Sequence, residues 1–253
     1  MSELRRDFVP DDLRSTIAMA GIDQVISVQA RQSVDETTWL LALAAKEPFI
    51  AGVVGWLPLV EADFESQLEA FGSNKKLKGF RHVLQAEPDS DFMLREDFNR
   101  GIAALGRQGL SYDLLILERQ LTETMKLVDL HPEQVFILDH IAKPRIKDGE
   151  LQPWLSQMKE LARRPNVWCK LSGVVTEDDY KGWTEASIRP YLDGALEAFG
   201  SRRLMFGSDW PVCLVATGYS EWVSLLEEYT QRLSLDEQEA FWAGNASEAY
   251  RLK

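Results

Sequence analysis

Gln134-Val135-Phe136-Ile137-Leu138-Asp139-His140-Ile141 is a near-continuous apolar run that ends in a carboxylate and an imidazole. Strands buried on both faces of a parallel sheet have this unbroken apolar character, whereas half-exposed strands alternate. Six further runs share it: Ile22–Ala30, Phe49–Leu57, Leu77–Leu84, Tyr112–Leu117, Val167–Ser172 and Leu204–Asp209. Their starts, at 22, 49, 77, 111, 134, 167 and 204, lie 27, 28, 34, 23, 33 and 37 residues apart. Each interval holds one strand, one helix and two loops, the βα unit of an α/β protein. Eight such units close a barrel. An open doubly wound sheet is the rival, but its first turn carries a glycine-rich phosphate loop. Here the first run ends in Gln29-Ala30-Arg31-Gln32, without glycine. Residues 11–20 form a predicted helix, capped by Asp11 or Asp12, ahead of the first visible strand. In a barrel that helix follows a strand. The expectation is therefore a (β/α)8 TIM barrel, one domain over residues 1–253, N-terminally incomplete, with the first strand absent.

The intervening segments carry helix signals. Ser33-Val34-Asp35-Glu36 and Ser234-Leu235-Asp236-Glu237 are capping boxes, and Pro153 suits a first helical turn. Trp39, Trp154, Trp222 and Trp242 fall in helical patterns and are expected to pack. Trp56 and Trp210 follow strands and could line a pocket.

The chain has 253 residues, 45% hydrophobic, with a net charge of -12. Such a charge repels nucleic acid and anionic lipid, so neither is an expected partner, and an anionic substrate would need a local basic pocket. Two cysteines, Cys169 and Cys213, make no disulfide framework and fit a reducing cytoplasm. No apolar run is long enough to span a bilayer.

Barrel enzymes carry their chemistry at the C-terminal ends of the strands. The polar residues there are Gln29 and Arg31; Arg81, His82 and Gln85; Asp139 and His140, with Lys143 just beyond; Lys170 and Ser172; Ser208 and Asp209. Asp209, after Leu204-Met205-Phe206-Gly207-Ser208 and before Trp210-Pro211, can take a proton from water, or can simply cap the next loop. An imidazole at position 140 needs a partner or a task. His131, before Pro132, belongs to the opposite, stabilising face. Asp113 lies near a strand start and is less informative. Ser172 and Ser208 lack a nucleophile-elbow context.

At these residues the chain resembles the amidohydrolase-related family (amidohydrolase 2), in the sugar-lactonase branch of L-fuconolactonase and L-rhamnonolactonase types that is related to 2-pyrone-4,6-dicarboxylate lactonase. The segments that carry the resemblance include Lys78-Gly79-Phe80-Arg81-His82, Asp139-His140-Ile141-Ala142-Lys143-Pro144, Cys169-Lys170-Leu171-Ser172-Gly173 and Phe206-Gly207-Ser208-Asp209-Trp210-Pro211. The resemblance implies a hydrolase that opens a small lactone, such as a sugar-acid lactone. Asp209 would be the general base, and His140 would polarise the carbonyl or bind a metal. Arg81, His82, Gln29 and Trp210 would contact the substrate. The family's first strand carries H-x-H, a motif absent from this sequence. The metal is thus unassigned, with His140 and Asp209 as its candidate ligands and one divalent ion, zinc, expected only where H-x-H is restored. The alternatives are a metal-dependent decarboxylase of the same superfamily and an inactive barrel acting as a binding protein. A homo-oligomer is compatible with all three.

Overall fold

The computed structural model describes residues 2–252. Seven strands alternate with helices along the chain. The strands are β1 (Val25–Val28), β2 (Ile50–Gly55), β3 (Leu77–His82), β4 (Ser111–Leu114), β5 (Phe136–Leu138), β6 (Val167–Leu171) and β7 (Leu204–Phe206). The helices between and around them are α1 (Pro10–Met19), α2 (Val34–Lys46), α3 (Phe64–Phe71), α4 (Glu96–Arg107), α5 (Leu121–Leu130), α6 (Trp154–Leu161), α7 (Glu185–Phe199), α8 (Tyr219–Thr230), α9 (Leu235–Glu239) and α10 (Asn245–Ala249). Every strand pairs in parallel with the next, in the order β1 to β7. All seven predicted runs are strands, each shorter than its apolar stretch. The result is an α/β fold with a parallel sheet curled as part of a barrel, and β1 and β7 are its edges among the described residues.

β2 to β7 are largely buried on both faces and edge strand β1 is half-buried, yet the strands retain a period of two. Val53, Phe80, Tyr112, Leu114, Phe136, Leu138, Cys169 and Leu171 pack outward into the main core with the helices. Their neighbours Val54, Ile137, Trp168 and Met205 pack inward, together with Tyr250 from just beyond α10. Arg81, Asp113 and Lys170 share the inward parity, and the register sets Arg81 beside Asp113 and Asp113 beside Ile137. A charged layer therefore lies inside the curl. At the edges, Val25 and Phe206 pack into one cluster with Ile17 of α1 and Tyr219 and Val223 of α8.

Close approach of β3 and β4 requires Gly79. A Cβ there would lie 2.2 Å from Ser111 Oγ and 2.6 Å from the Ser111 carbonyl oxygen.

Some local expectations are corrected. The residue capping α1 is Val9, whose N–H donates to Asp12 Oδ2 at 3.0 Å, so Asp12 acts from inside the helix. Ser33 caps α2 without a side-chain bond, because Glu36 turns instead to the N–H groups of Ala30 and Arg31. The Ser234 box forms as read, with Glu237 accepting from Ser234 N–H at 2.9 Å. Trp39 is not packed but 53% exposed, whereas Trp154 and Trp222 are buried.

Candidate active site

The end of β5 sets the site's geometry. After Leu138 the chain enters a turn in which His140, Ile141, Ala142 and Lys143 all have positive φ, between 48° and 61°. Left-handed backbone costs a non-glycine residue roughly 1–2 kcal/mol, and four in succession persist only where surrounding structure imposes them. Trp154 Nε1 supplies one restraint by donating to the Ile141 carbonyl at 2.8 Å, and Ile141 and Ala142 are buried. This turn throws the His140 ring over the strand ends. Asp209, after β7, is likewise left-handed, at φ 53°.

The two residues meet. His140 Nε2 lies 3.7 Å from Asp209 Oδ1, and His140 Nδ1 lies 2.8 Å from Ser172 Oγ, just past β6. With the Ser172 hydroxyl donating to Nδ1, the proton of the neutral ring sits on Nε2 and faces Asp209. Burial pushes the His140 pKa down from its ordinary value, against the opposing pull of Asp209 and Asp139. A separation of 3.7 Å is too long for a direct hydrogen bond and suits a bridging group such as water. Gly173, at φ 61°, makes the approach feasible. A Cβ there would stand 2.9 Å from His140 Nδ1 and 3.1 Å from Asp209 Oδ2.

Beneath this pair lies the inward charged layer. Lys170 Nζ donates to Asp113 Oδ2 at 2.6 Å and to Asp139 Oδ1 at 2.7 Å. Arg81 donates to Asp139 Oδ2 at 2.8 Å, and Tyr250 OH donates to Asp113 Oδ2 at 2.7 Å. Two cations thus balance two fully buried carboxylates. Desolvation works to raise the Asp139 pKa, but Lys170 and Arg81 outweigh it and hold the group ionised, well below the usual range.

Several residues singled out from the sequence are engaged with protein partners. Gln29 is fully buried, accepting from Arg81 Nη2 at 3.0 Å and donating to the Arg81 carbonyl at 3.2 Å. Arg81 also donates to the Gln29 backbone carbonyl. His82 accepts from Trp56 Nε1 at Nδ1 (3.3 Å), faces Glu87 Oε1 from Nε2 at 2.6 Å, and stacks on Phe92. Trp210 sits at the rim, edge-on to Phe8, beside a cavity of about 350 Å³ that Arg6 and Tyr219 also line. His131 bonds to Asn99 away from the site. Sequence reasoning missed the roles of Asp113, Tyr250 and Glu177. The only signal for Asp113 was a carboxylate inside an apolar strand, and its partner Lys170 lies 57 residues away.

As a metal centre the pair is incomplete. Among the described residues no group of three His, Cys, Asp or Glu side chains is placed to hold an ion, and a catalytic zinc takes three protein ligands. His140 and Asp209 alone do not fit one.

A parallel α/β sheet with a carboxylate and an oriented imidazole at its C-terminal strand ends defines a barrel-type enzyme of the hydrolytic kind. The chain belongs to the amidohydrolase family, whose model, described as Amidohydrolase, matches residues 2–252. It is 43% identical to an L-fucono-1,5-lactonase of Burkholderia multivorans, covering 100% of this chain and 88% of that protein. It is 32% identical, with the same coverage, to an L-fucono-1,5-lactonase of Burkholderia ambifaria. A crystal structure of an amidohydrolase from Burkholderia multivorans with bound zinc superposes with a TM-score of 0.96 at 43% identity, covering 100% of this chain and 92% of that one. Among the described residues no helix is long and apolar enough to cross a membrane.

Proposed function

We propose that the protein opens a small sugar-acid lactone such as L-fucono-1,5-lactone by general-base attack of water. The observation that carries the reading is the 3.7 Å gap between His140 Nε2 and Asp209 Oδ1. A water in contact with Asp209 loses a proton to the carboxylate as its oxygen bonds to the lactone carbonyl carbon. The carbonyl oxygen becomes an oxyanion and accepts a hydrogen bond from His140 Nε2–H, whose direction Ser172 fixes. The intermediate collapses, the ring C–O bond breaks, and the protonated Asp209 returns its proton to the leaving alkoxide. Arg81 and Gln29 brace the wall of the site through Asp139. The names of the two Burkholderia relatives support this substrate class.

The finer fold reading belongs to the same proposal: an eight-stranded ring in which a strand bearing H-x-H stands between β1 and β7. Its support is the shared cluster that joins Val25 to Phe206. That strand would add the donors a zinc ion needs besides His140 and Asp209.

The test follows acid release from L-fucono-1,5-lactone, with and without added zinc. The wild-type protein should exceed spontaneous hydrolysis, and Asp209→Asn should lower kcat by about 100- to 10,000-fold at an unchanged Tm. A wild-type rate at the spontaneous level, or near-normal turnover by the variant, would refute the reading.

A further inference from the structure

We propose that Lys143 and Glu177 form the substrate-selecting pair of the site and that they recognise the hydroxyl groups of a neutral, polyhydroxylated lactone. The inference rests on the lactonase reading for its chemistry, but on separate residues for its geometry.

The pair stands beside the reacting groups. Lys143 ends the left-handed turn that begins at His140, and its charge is felt by the His140 ring. Glu177 lies four residues beyond Gly173, and burial raises its pKa against the opposing pull of Lys143. Lys143 Nζ and Glu177 Oε1 are 3.5 Å apart, each side chain 22% exposed. Both therefore open to the rim without being free surface groups. Glu177 also lines a cavity of about 540 Å³, with Thr176, Tyr180 and Lys147 among its other walls. The catalytic pair does not line this cavity; of the proposed selecting pair, Glu177 does.

Elimination points to the same two residues. Arg81 is bound to Asp139 and Gln29, and Lys170 is held between Asp113 and Asp139 at 2.6 and 2.7 Å. His82 has both ring nitrogens engaged. The Lys143–Glu177 contact is longer than the ion pairs of Arg81 and Lys170 and leaves most of its capacity unused. An ammonium has three donors and a carboxylate about four acceptor sites. One group offering donors and one offering acceptors match vicinal hydroxyls, which both donate and accept.

The charge balance defines the class further. Around the reacting pair, Lys143 is offset by Glu177 and Asp209, and the deeper cations are already neutralised. Among the described residues, the cavity beside Glu177 sets Lys147 and Lys181 against Glu177, Asp178 and Asp179, a balance that disfavours a dicarboxylate, whose binding requires net positive charge. A neutral ring bearing hydroxyls incurs no such penalty.

Lys143→Met, Lys143→Arg and Glu177→Gln test the pair through the ratio of kcat/KM for L-fucono-1,5-lactone to that for unsubstituted δ-valerolactone. Lys143→Met and Glu177→Gln should each lower this ratio by about tenfold or more, the loss expected when a charged hydrogen-bonding partner is removed. Lys143→Arg, which keeps donors, should retain more of the preference than Lys143→Met. Equal losses on both lactones, or an unchanged ratio, would overturn the proposal. Calorimetric binding of L-fuconolactam, a non-hydrolysable analogue, separates selection from turnover. Wild-type binding weakened about tenfold in Lys143→Met supports the pair even if no lactone is hydrolysed, in which case only the catalytic reading fails. Absence of wild-type binding, or equal binding by the variant, removes the pair.

Discussion

Gly173 illustrates how little room the reacting groups leave. An added methyl would contact His140 Nδ1 and Asp209 Oδ2 at once, in a backbone conformation that already disfavours a side chain. Gly173→Ala should cost about 1–2 kcal/mol in stability and should lower kcat more than it raises KM, because it displaces reacting groups rather than binding ones. Urea unfolding together with steady-state kinetics would check both. His140 makes a second residue-level prediction. Burial lowers its pKa, so the ring is neutral at neutral pH and becomes charged only as pH falls through that depressed value. The acid limb of the kcat profile should then lie below pH 6.5 or so, the ordinary histidine value. A loss of activity centred above that value would mean that the imidazole does not act in its neutral form.

At the level of elements, the left-handed turn after β5 combines strain with placement. Ala142, at φ 61° and fully buried, has a conformation that glycine adopts freely. Ala142→Gly should relieve strain, for a net gain on the order of 0.5–1 kcal/mol after the entropy of the unfolded chain is counted. It should also slow turnover, since the restraint that aims His140 and Lys143 is loosened. A rise in Tm accompanied by a fall in kcat is the expected signature. This turn also explains what the sequence could reveal. Near-continuous apolar runs identified all seven strands, because burial on both faces admits only the few polar residues, Arg81, Asp113 and Lys170 among them, that pair with one another or with Asp139 inside the curl. The same runs overstate strand length. Ile141 and Ala142 are apolar because they are buried in a turn, and an apolar pattern does not distinguish a buried turn from a strand. The capping reading of Ser33 failed because Glu36 found the N–H groups of Ala30 and Arg31 instead. Asp209 and His140 were legible because they end strands. Glu177 and Asp113 were not, because their significance comes from partners distant in sequence, Lys143 and Lys170.

For the whole molecule, the inward charged layer ties together β3, β4, β6, the end of β5 and the C-terminal segment. Asp113 and Asp139 are fully buried, and among the described residues Lys170 is the cation that touches both. Lys170→Met would leave a buried carboxylate without its counter-charge, and removing one partner of a buried pair costs roughly 3–5 kcal/mol. Urea denaturation should show that loss at pH 7. A smaller deficit would indicate that water reaches the layer. The position of Tyr250 bears on how the protein is made. Its hydroxyl donates to Asp113 Oδ2, 137 residues earlier in the chain. Asp113 therefore keeps an open acceptor until the chain through Tyr250 has been synthesised and packed. Until that segment packs, the sheet's polar centre lacks one of its donors, so the segment around Tyr250 acts as a latch on the charged layer.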